Sequence, residues 1–218
     1  MQNNNSLVPT KEEIYKTLEN RHGIENQAKL SKAKVAIAGL GGLGSNIAFS
    51  LARAGVMHLH LIDFDKVDLS NLNRQQYFIE HLGIAKPQAL KSELLRINPY
   101  LEIRTDCVKI TEDNIKDLFV NDEIICEAFD VPENKAMLVN GILETFPDKY
   151  LVSGNGMAGY GKSNDIHTRQ ILPKFYICGD EKTGLAPDKP LMASRVAICA
   201  NHEANMVMQL ILNNNDRK

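Results

Sequence analysis

No pair of cysteines in this 218-residue chain is spaced as Cys-x-x-Cys. The four thiols, Cys107, Cys126, Cys178 and Cys199, are scattered, so neither a tetrathiolate zinc site nor a disulfide framework can be read from them. No structural zinc is expected. No apolar run approaches the roughly 20 residues of a membrane helix. An excess of one charge is missing too. The 25 Lys and Arg against 27 Asp and Glu leave a net charge of −2, without the basic stripe that a phosphate backbone demands. Met1 to Ser6 is polar and Asn-rich, with neither a basic nor an apolar leader region. A cytoplasmic protein with no nucleic-acid or membrane partner is the expectation. Cys126 and Cys199 stand in apolar runs, where a free thiol packs as a small hydrophobe, and the compartment reads as reducing.

What is there is an alternation of elements around a 44% hydrophobic composition, enough for one α/β core. Residues 11–30 space Ile14, Leu18, Ile24 and Leu30 as one or two surface helices, a helical segment over 1–30 ahead of one domain at 31–218. Strands are expected at residues 35–38, 58–62, 101–110, 123–128 and 150–152. Helices are expected at 44–54, 87–97, 132–146 and 192–212, with a short one behind Thr111 reaching Phe119. Residues 154–162 read as a glycine-rich loop, and 166–171 as an antiparallel strand. The pattern predicts an α/β fold: a single Rossmann-like, doubly wound, mostly parallel sheet with helices on both faces.

The chemistry starts where the first strand ends. Gly39, Gly41 and Gly44 fit G-x-G-x-x-G between strand and helix, with Gly42 inside the turn. Glycine lets the backbone turn tightly and approach phosphate, which rests on the helix N-terminus. A ligand-free tight turn has the same pattern. Asp63, 24 residues after Gly39 and at the end of the second strand, suits a ribose with both hydroxyls free. These features alone do not separate ATP from NAD. The segment after Asp63 runs as a polar loop to Arg74, and Lys86 stands just before Pro87. Two cations beside a phosphate site suit charge developing on phosphoryl oxygens, although either alone reads equally as a surface charge. Asp130, past the fourth strand, suits Mg²⁺ beside a triphosphate or a cap on the following helix.

Together, residues 39–45 (GLGGLGS), 61–65 (LIDFD), 70–75 (SNLNRQ), Lys86 and Asp130 resemble the ThiF/MoeB/HesA family, bacterial relatives of ubiquitin-activating enzymes. The likeness covers roughly residues 21–212 and looks closest to the short ThiF sulfur-carrier adenylyltransferases of thiamine biosynthesis. It implies ATP-dependent adenylylation of the C-terminal glycine carboxylate of a small ubiquitin-like sulfur carrier ending in Gly-Gly, with release of pyrophosphate. Residues 39–44 would hold phosphates and Asp63 the ribose, with Ser70, Asn71 and Arg74 lining the nucleotide. Arg74 and Lys86 would neutralise the triphosphate, and Asp130 would carry Mg²⁺. Family members form homodimers, and Arg21 would complete the partner's site. Val131 stands where the family often has Asn after the aspartate, and Phe175 where many members place a first zinc cysteine. Other readings are activation of a different carrier or a small-molecule carboxylate, and an NAD- or nucleotide-binding module. The glycines of residues 154–161 offer a channel for the tail or a merely flexible loop. Cys178, read as a thiol in a polar stretch, is either a covalent acceptor in sulfur transfer or a bystander.

Overall fold

The first strand already divides its neighbours between two layers. In β1 (Lys34–Ala38), Val35 and Ile37 enter one apolar layer while Ala36 and Ala38 enter the other, because successive strand residues face opposite ways. A computed structural model describes residues 8–184, 186 and 189–213; the Asn-rich start, Met1 to Ser6, lies outside them.

The chain enters through α1 (Lys11–His22) and α2 (Ile24–Lys32), which hinge at Gly23. No residue of α1 is buried, whereas α2 contributes Leu30 to the core and so is not merely a surface helix. After β1 come α3 (Gly42–Arg53), β2 (His58–Ile62), α4 (Lys86–Ile97), β3 (Glu102–Asp106), α5 (Ile115–Phe119) and β4 (Ile124–Glu127). Then follow α6 (Pro132–Thr145), β5 (Tyr150–Gly154), β6 (His167–Leu172), β7 (Phe175–Gly179) and α7 (Ala193–Asn213). The seven strands lie in the order β3-β2-β1-β4-β5-β7-β6, and every neighbouring pair is parallel except β6 with β7. Strand β1 sits between β2 and β4, so the winding reverses there and a crevice opens at the carboxyl ends of the strands. The larger core layer holds buried residues of α3, α4 and α7, the other those of α5 and α6. No helix among the described residues is long and apolar enough to cross a membrane.

Two elements differ from the sequence expectation. Strand β3 ends at Asp106 and not at residue 110, because its partner β2 ends opposite it: the Asp63 N–H, the next after β2, still donates to Asp106 O at 3.3 Å before the chain turns away. Strand β7 was not foreseen. Its Phe-Tyr-Ile-Cys run slots parallel beside β5, a short apolar run bounded by turn residues that has the form of a buried strand.

In mid-β2, buried His60 holds Asp122 at 2.8 Å from Nδ1 and Asp106 at 2.7 Å from Nε2, and Arg104 closes the chain on Asp106 at 2.8 Å. The His60→Leu variant leaves the buried Asp122 carboxylate without this partner. Stability should fall by roughly 3 kcal/mol, seen as a lower urea midpoint at unchanged slope. An unchanged midpoint would mean that Asp122 finds water or another partner.

Candidate active site

Gly39 leaves β1 with φ of +89°, and its N–H donates to Ile62 O at 2.9 Å, which ties the turn to β2. In the first turn of α3, a Cβ on Gly44 would lie 1.9 Å from Gly39 O. Helix and strand approach this closely only with glycine there. No side chain caps α3, so its leading N–H groups remain open to an anion. Across the turn, the Ala128 carbonyl and the Phe129 ring press on Gly39. The segment that carries Asp130 therefore abuts the glycines.

Asp63 lies at the base of the crevice and is buried. Its Oδ2 accepts the Leu40 N–H at 2.7 Å and its Oδ1 the Asp65 N–H at 2.8 Å. Lys86, the first residue of α4, is buried as well, with Nζ 2.9 Å from Asp65 Oδ2 and 3.8 Å from Asp63 Oδ2. Tyr77 donates its hydroxyl to Leu40 O at 2.8 Å; burial, then Asp63 and Asp65, push this phenol well above its ordinary range. Asp63 thus joins two loops and a cation while keeping further lone pairs for a ligand.

Half-buried Arg74 lays its stem over Gly42 and turns Nη1 to Ser70 O at 3.2 Å and Asn73 Oδ1 at 2.8 Å; its Nε is buried with no hydrogen-bond partner. The side chains of Ser70 and Asn71, expected to line a nucleotide, close a turn with Asp68. Asp68 Oδ1 accepts the Ser70 N–H and hydroxyl at 2.9 and 2.6 Å, and its own N–H donates to Asn71 Oδ1 at 3.0 Å. Asp130 is exposed and makes no hydrogen bond or ion pair among the described residues. The N-cap of α6 is Val131, so the helix-cap role left open for Asp130 is not seen. Among the described residues no three His, Cys, Asp or Glu side chains gather around a possible metal ion. A divalent ion at Asp130 would complete its shell from phosphate oxygens and water, which fits Mg²⁺.

With this geometry in place, the comparison with known proteins is direct: residues 15–218 match the ThiF family. The chain belongs to the ThiF family.

The adenylyltransferase and sulfurtransferase UBA4 of Debaryomyces hansenii is 32% identical over 151 residues, 69% of this chain and 33% of its own. The probable adenylyltransferase/sulfurtransferase MoeZ of Mycobacterium tuberculosis is 35% identical over 109 residues, 50% of this chain and 28% of its own. The chain spans about a third of the length of such relatives. Among solved structures, E. coli TcdA, a tRNA N6-threonylcarbamoyladenosine dehydratase in complex with ATP, superposes with a TM-score of 0.85 at 19% identity, over 97% of this chain and all of that one. It shows the fold alone. E. coli MccB with ATP has a TM-score of 0.66 at 25% identity, over 92% of this chain and 61% of its own.

In this ThiF-family chain the glycines, Asp63, Arg74 and Lys86 meet at one mouth, with the Asp130 segment against it, but Arg21 does not join them. Arg21 is exposed in the last turn of α1, and the Gln27 amide of α2 donates to Gly55 O beyond the far end of α3. That corner is about 18 Å of helix away from the glycine turn. Sequence reasoning missed Asp65, Tyr77 and Glu127. Glu127 is fully buried at the end of β4, accepting the Phe129 N–H at 2.7 Å, the Ser153 hydroxyl at 2.5 Å and Lys135 at 2.5 Å. Its signal was an acid closing the apolar run of residues 124–126, a place where a carboxylate stands only with partners.

Cys178 also corrects the sequence reading. It lies inside β7, fully buried, and burial, with Glu203 nearby, pushes its thiol up to about 12. At pH 8 a disulfide reagent should label exposed Cys107 first, leaving Cys178 unreacted until the protein unfolds. Rapid labelling of Cys178 in the folded protein would restore it as an acceptor.

Proposed function

We propose that this chain uses ATP to adenylate the C-terminal glycine carboxylate of a small ubiquitin-like sulfur carrier with a Gly-Gly tail. The observation that carries this reading is the buried Lys86 ammonium, 2.9 Å from Asp65 and 3.8 Å from the Asp63 oxygen that accepts the Leu40 N–H of the glycine turn. A lysine held at low exposure by two carboxylates near the glycine turn suits phosphoryl chemistry, whereas hydride transfer leaves a pyrophosphate untouched. Names of the relatives support the same class of reaction, and the MccB likeness supports ATP as its nucleotide.

In the proposed step a carboxylate oxygen of the carrier attacks the α-phosphorus in line. The α–β bridging bond breaks, and pyrophosphate leaves with its electron pair. Both reactants are anions, so catalysis is chiefly alignment and charge neutralisation. Residues 39–44 cradle the phosphates, Asp63 holds the ribose, and Ser70, Asn71 and Arg74 line the nucleotide. Lys86 and Arg74 take up the developing charge. Mg²⁺ held by Asp130 would neutralise phosphate oxygens.

Arg21 is assigned to the site of a second copy, because it stands a helix length from its own. Exposed Phe64, Leu69, Phe78, Ile79, Leu82 and Ile84 cluster in the segment after β2 and support such a homodimer. Thiamine assembly is the pathway we assign to the carrier; one shared with the adenylyltransferase/sulfurtransferases is the competing outcome of the test.

ATP with Mg²⁺ at 100 times its dissociation constant should add about 2.7 kcal/mol to stability, and NAD little. An equal NAD shift in a thermal melt would sink the ATP assignment. In pyrophosphate exchange with carrier present, Arg74→Ala, Lys86→Ala and Asp130→Ala should each slow the reaction by about 10²–10³-fold. Removing the carrier's last glycine should abolish exchange; indifference to the tail would favour a small-molecule carboxylate.

A further inference from the structure

Part of the glycine-rich stretch after β5 packs on a buried ion pair. Asp180 and Arg195 are 5% and 3% exposed, with Asp180 Oδ2 2.6 Å from Arg195 Nη2. Asp180 Oδ1 also accepts the N–H groups of Lys182 and Thr183 at 2.9 and 2.8 Å, and Oδ2 the Thr183 hydroxyl at 2.7 Å. Arg195 Nη1 donates to Lys162 O at 2.7 Å. Burial pushes the Asp180 carboxyl up, but the Thr183 and Lys182 N–H groups, the Thr183 hydroxyl and the guanidinium outweigh it and hold it at about 2.

Gly156 lies directly against this pair. It adopts φ of +86°, and a Cβ there would stand 2.2 Å from Asp180 Oδ1. The Asp180 N–H donates to Gly156 O at 2.9 Å, and a Cβ on Gly161 would meet the guanidinium at 3.5 Å, an ordinary contact. Gly156 thus admits the charged pair at close range, and this part of the stretch forms a wall against it.

The same helix turn reaches the phosphate side. Val196, next to Arg195, packs on Gly42 of the glycine turn. Just ahead of α7, Leu191 O accepts the Asn73 amide at 3.4 Å and Pro190 O the Gly159 N–H at 2.8 Å. One helix start therefore touches the glycine turn, the arginine loop and the glycine wall.

We propose that Arg195 is a positioning residue for the carrier tail: by its ion pair with Asp180 it sets the wall of residues 154–162 relative to the phosphate turn. The inference rests on the carrier-adenylylation reading and deepens it by naming what aligns the tail. Asp63, Asp65 and Lys86 make none of these contacts, so removing the ion pair leaves the proposed ribose acid and the buried lysine in place.

The Arg195→Met variant leaves Asp180 buried and unpaired, and unfolding is a foreseeable result. The variant of choice therefore removes both charges, Asp180→Asn with Arg195→Gln. A melt and near-ultraviolet circular dichroism establish its fold. In pyrophosphate exchange its KM for the carrier should rise about 10–100-fold, the scale of a misplaced reactant. The thermal shift with ATP and Mg²⁺ should persist, and amides 155–162 should exchange hydrogen faster than in the wild type. Arg195→Lys, which keeps the ion pair, should recover part of the lost KM. An unchanged carrier KM in the folded double variant, or unchanged exchange at 155–162, overturns the proposal. Absence of carrier-dependent exchange in the wild type instead removes the underlying function, and the tail role falls with it.

Discussion

The Asp63 carboxylate brings three distant pieces of chain to one point. It accepts the Leu40 N–H from the glycine turn and the Asp65 N–H from the following loop, and it lies within 3.8 Å of the Lys86 ammonium at the start of α4. A carboxylate at low exposure is stable only with such partners. The partners are in turn located by it, so the shape of the glycine turn, the exit of the loop and the start of α4 all depend on one side chain. The placement of Lys86 follows. The lysine stays near the glycine turn because two acids hold it there, with the Tyr77 hydroxyl bracing the turn.

The other side of the crevice relies on the same device with different residues. Glu127 ties the ends of β4 and β5 through Phe129, Ser153 and Lys135, and Lys135 reaches on to Gly154 O at 2.8 Å. Glu203 of α7 packs against Gly154 with neither oxygen hydrogen-bonded to protein, and burial pushes its carboxyl well above the usual range. Asp180 and Arg195 complete the series. These buried polar groups stand where loops leave the strand ends, and, His60 in mid-β2 apart, the interior of the sheet is left to apolar side chains. Broken pairs of this kind leave an uncompensated charge, which keeps each loop in a single position.

Much of this was legible in the sequence. Gly39 to Gly44 between a strand and a helix, and Asp63 at the next strand end, announced their positions because periodicity and glycine spacing are local properties. The helices reappeared within about two residues, the uncertainty of any helix end. Strand β7 was missed although its four-residue apolar run stood in view, because a short run does not say which strand it will join. Cys178 was misread for the same reason: Gly179 and Asp180 make its neighbourhood polar along the chain, while β5 and α7 bury it in space.

The sequence by itself determined the order of strands and helices apart from β7, the glycine turn and the acid that follows it, and the family to which these motifs point. Each is marked by patterns that span only a few positions of the chain. Only the tertiary structure decided which polar residues meet: Asp63 with Lys86 across 23 positions, Glu127 with Ser153 across 26, and Asp180 with Arg195 across 15. It also decided that Ser70 and Asn71 turn to Asp68 and that Arg21 stands a helix length from the cleft. A charge buried without a partner is costly, so the partner's position is strongly constrained by the fold. Nothing in the linear spacing says which of many acids or cations will occupy it.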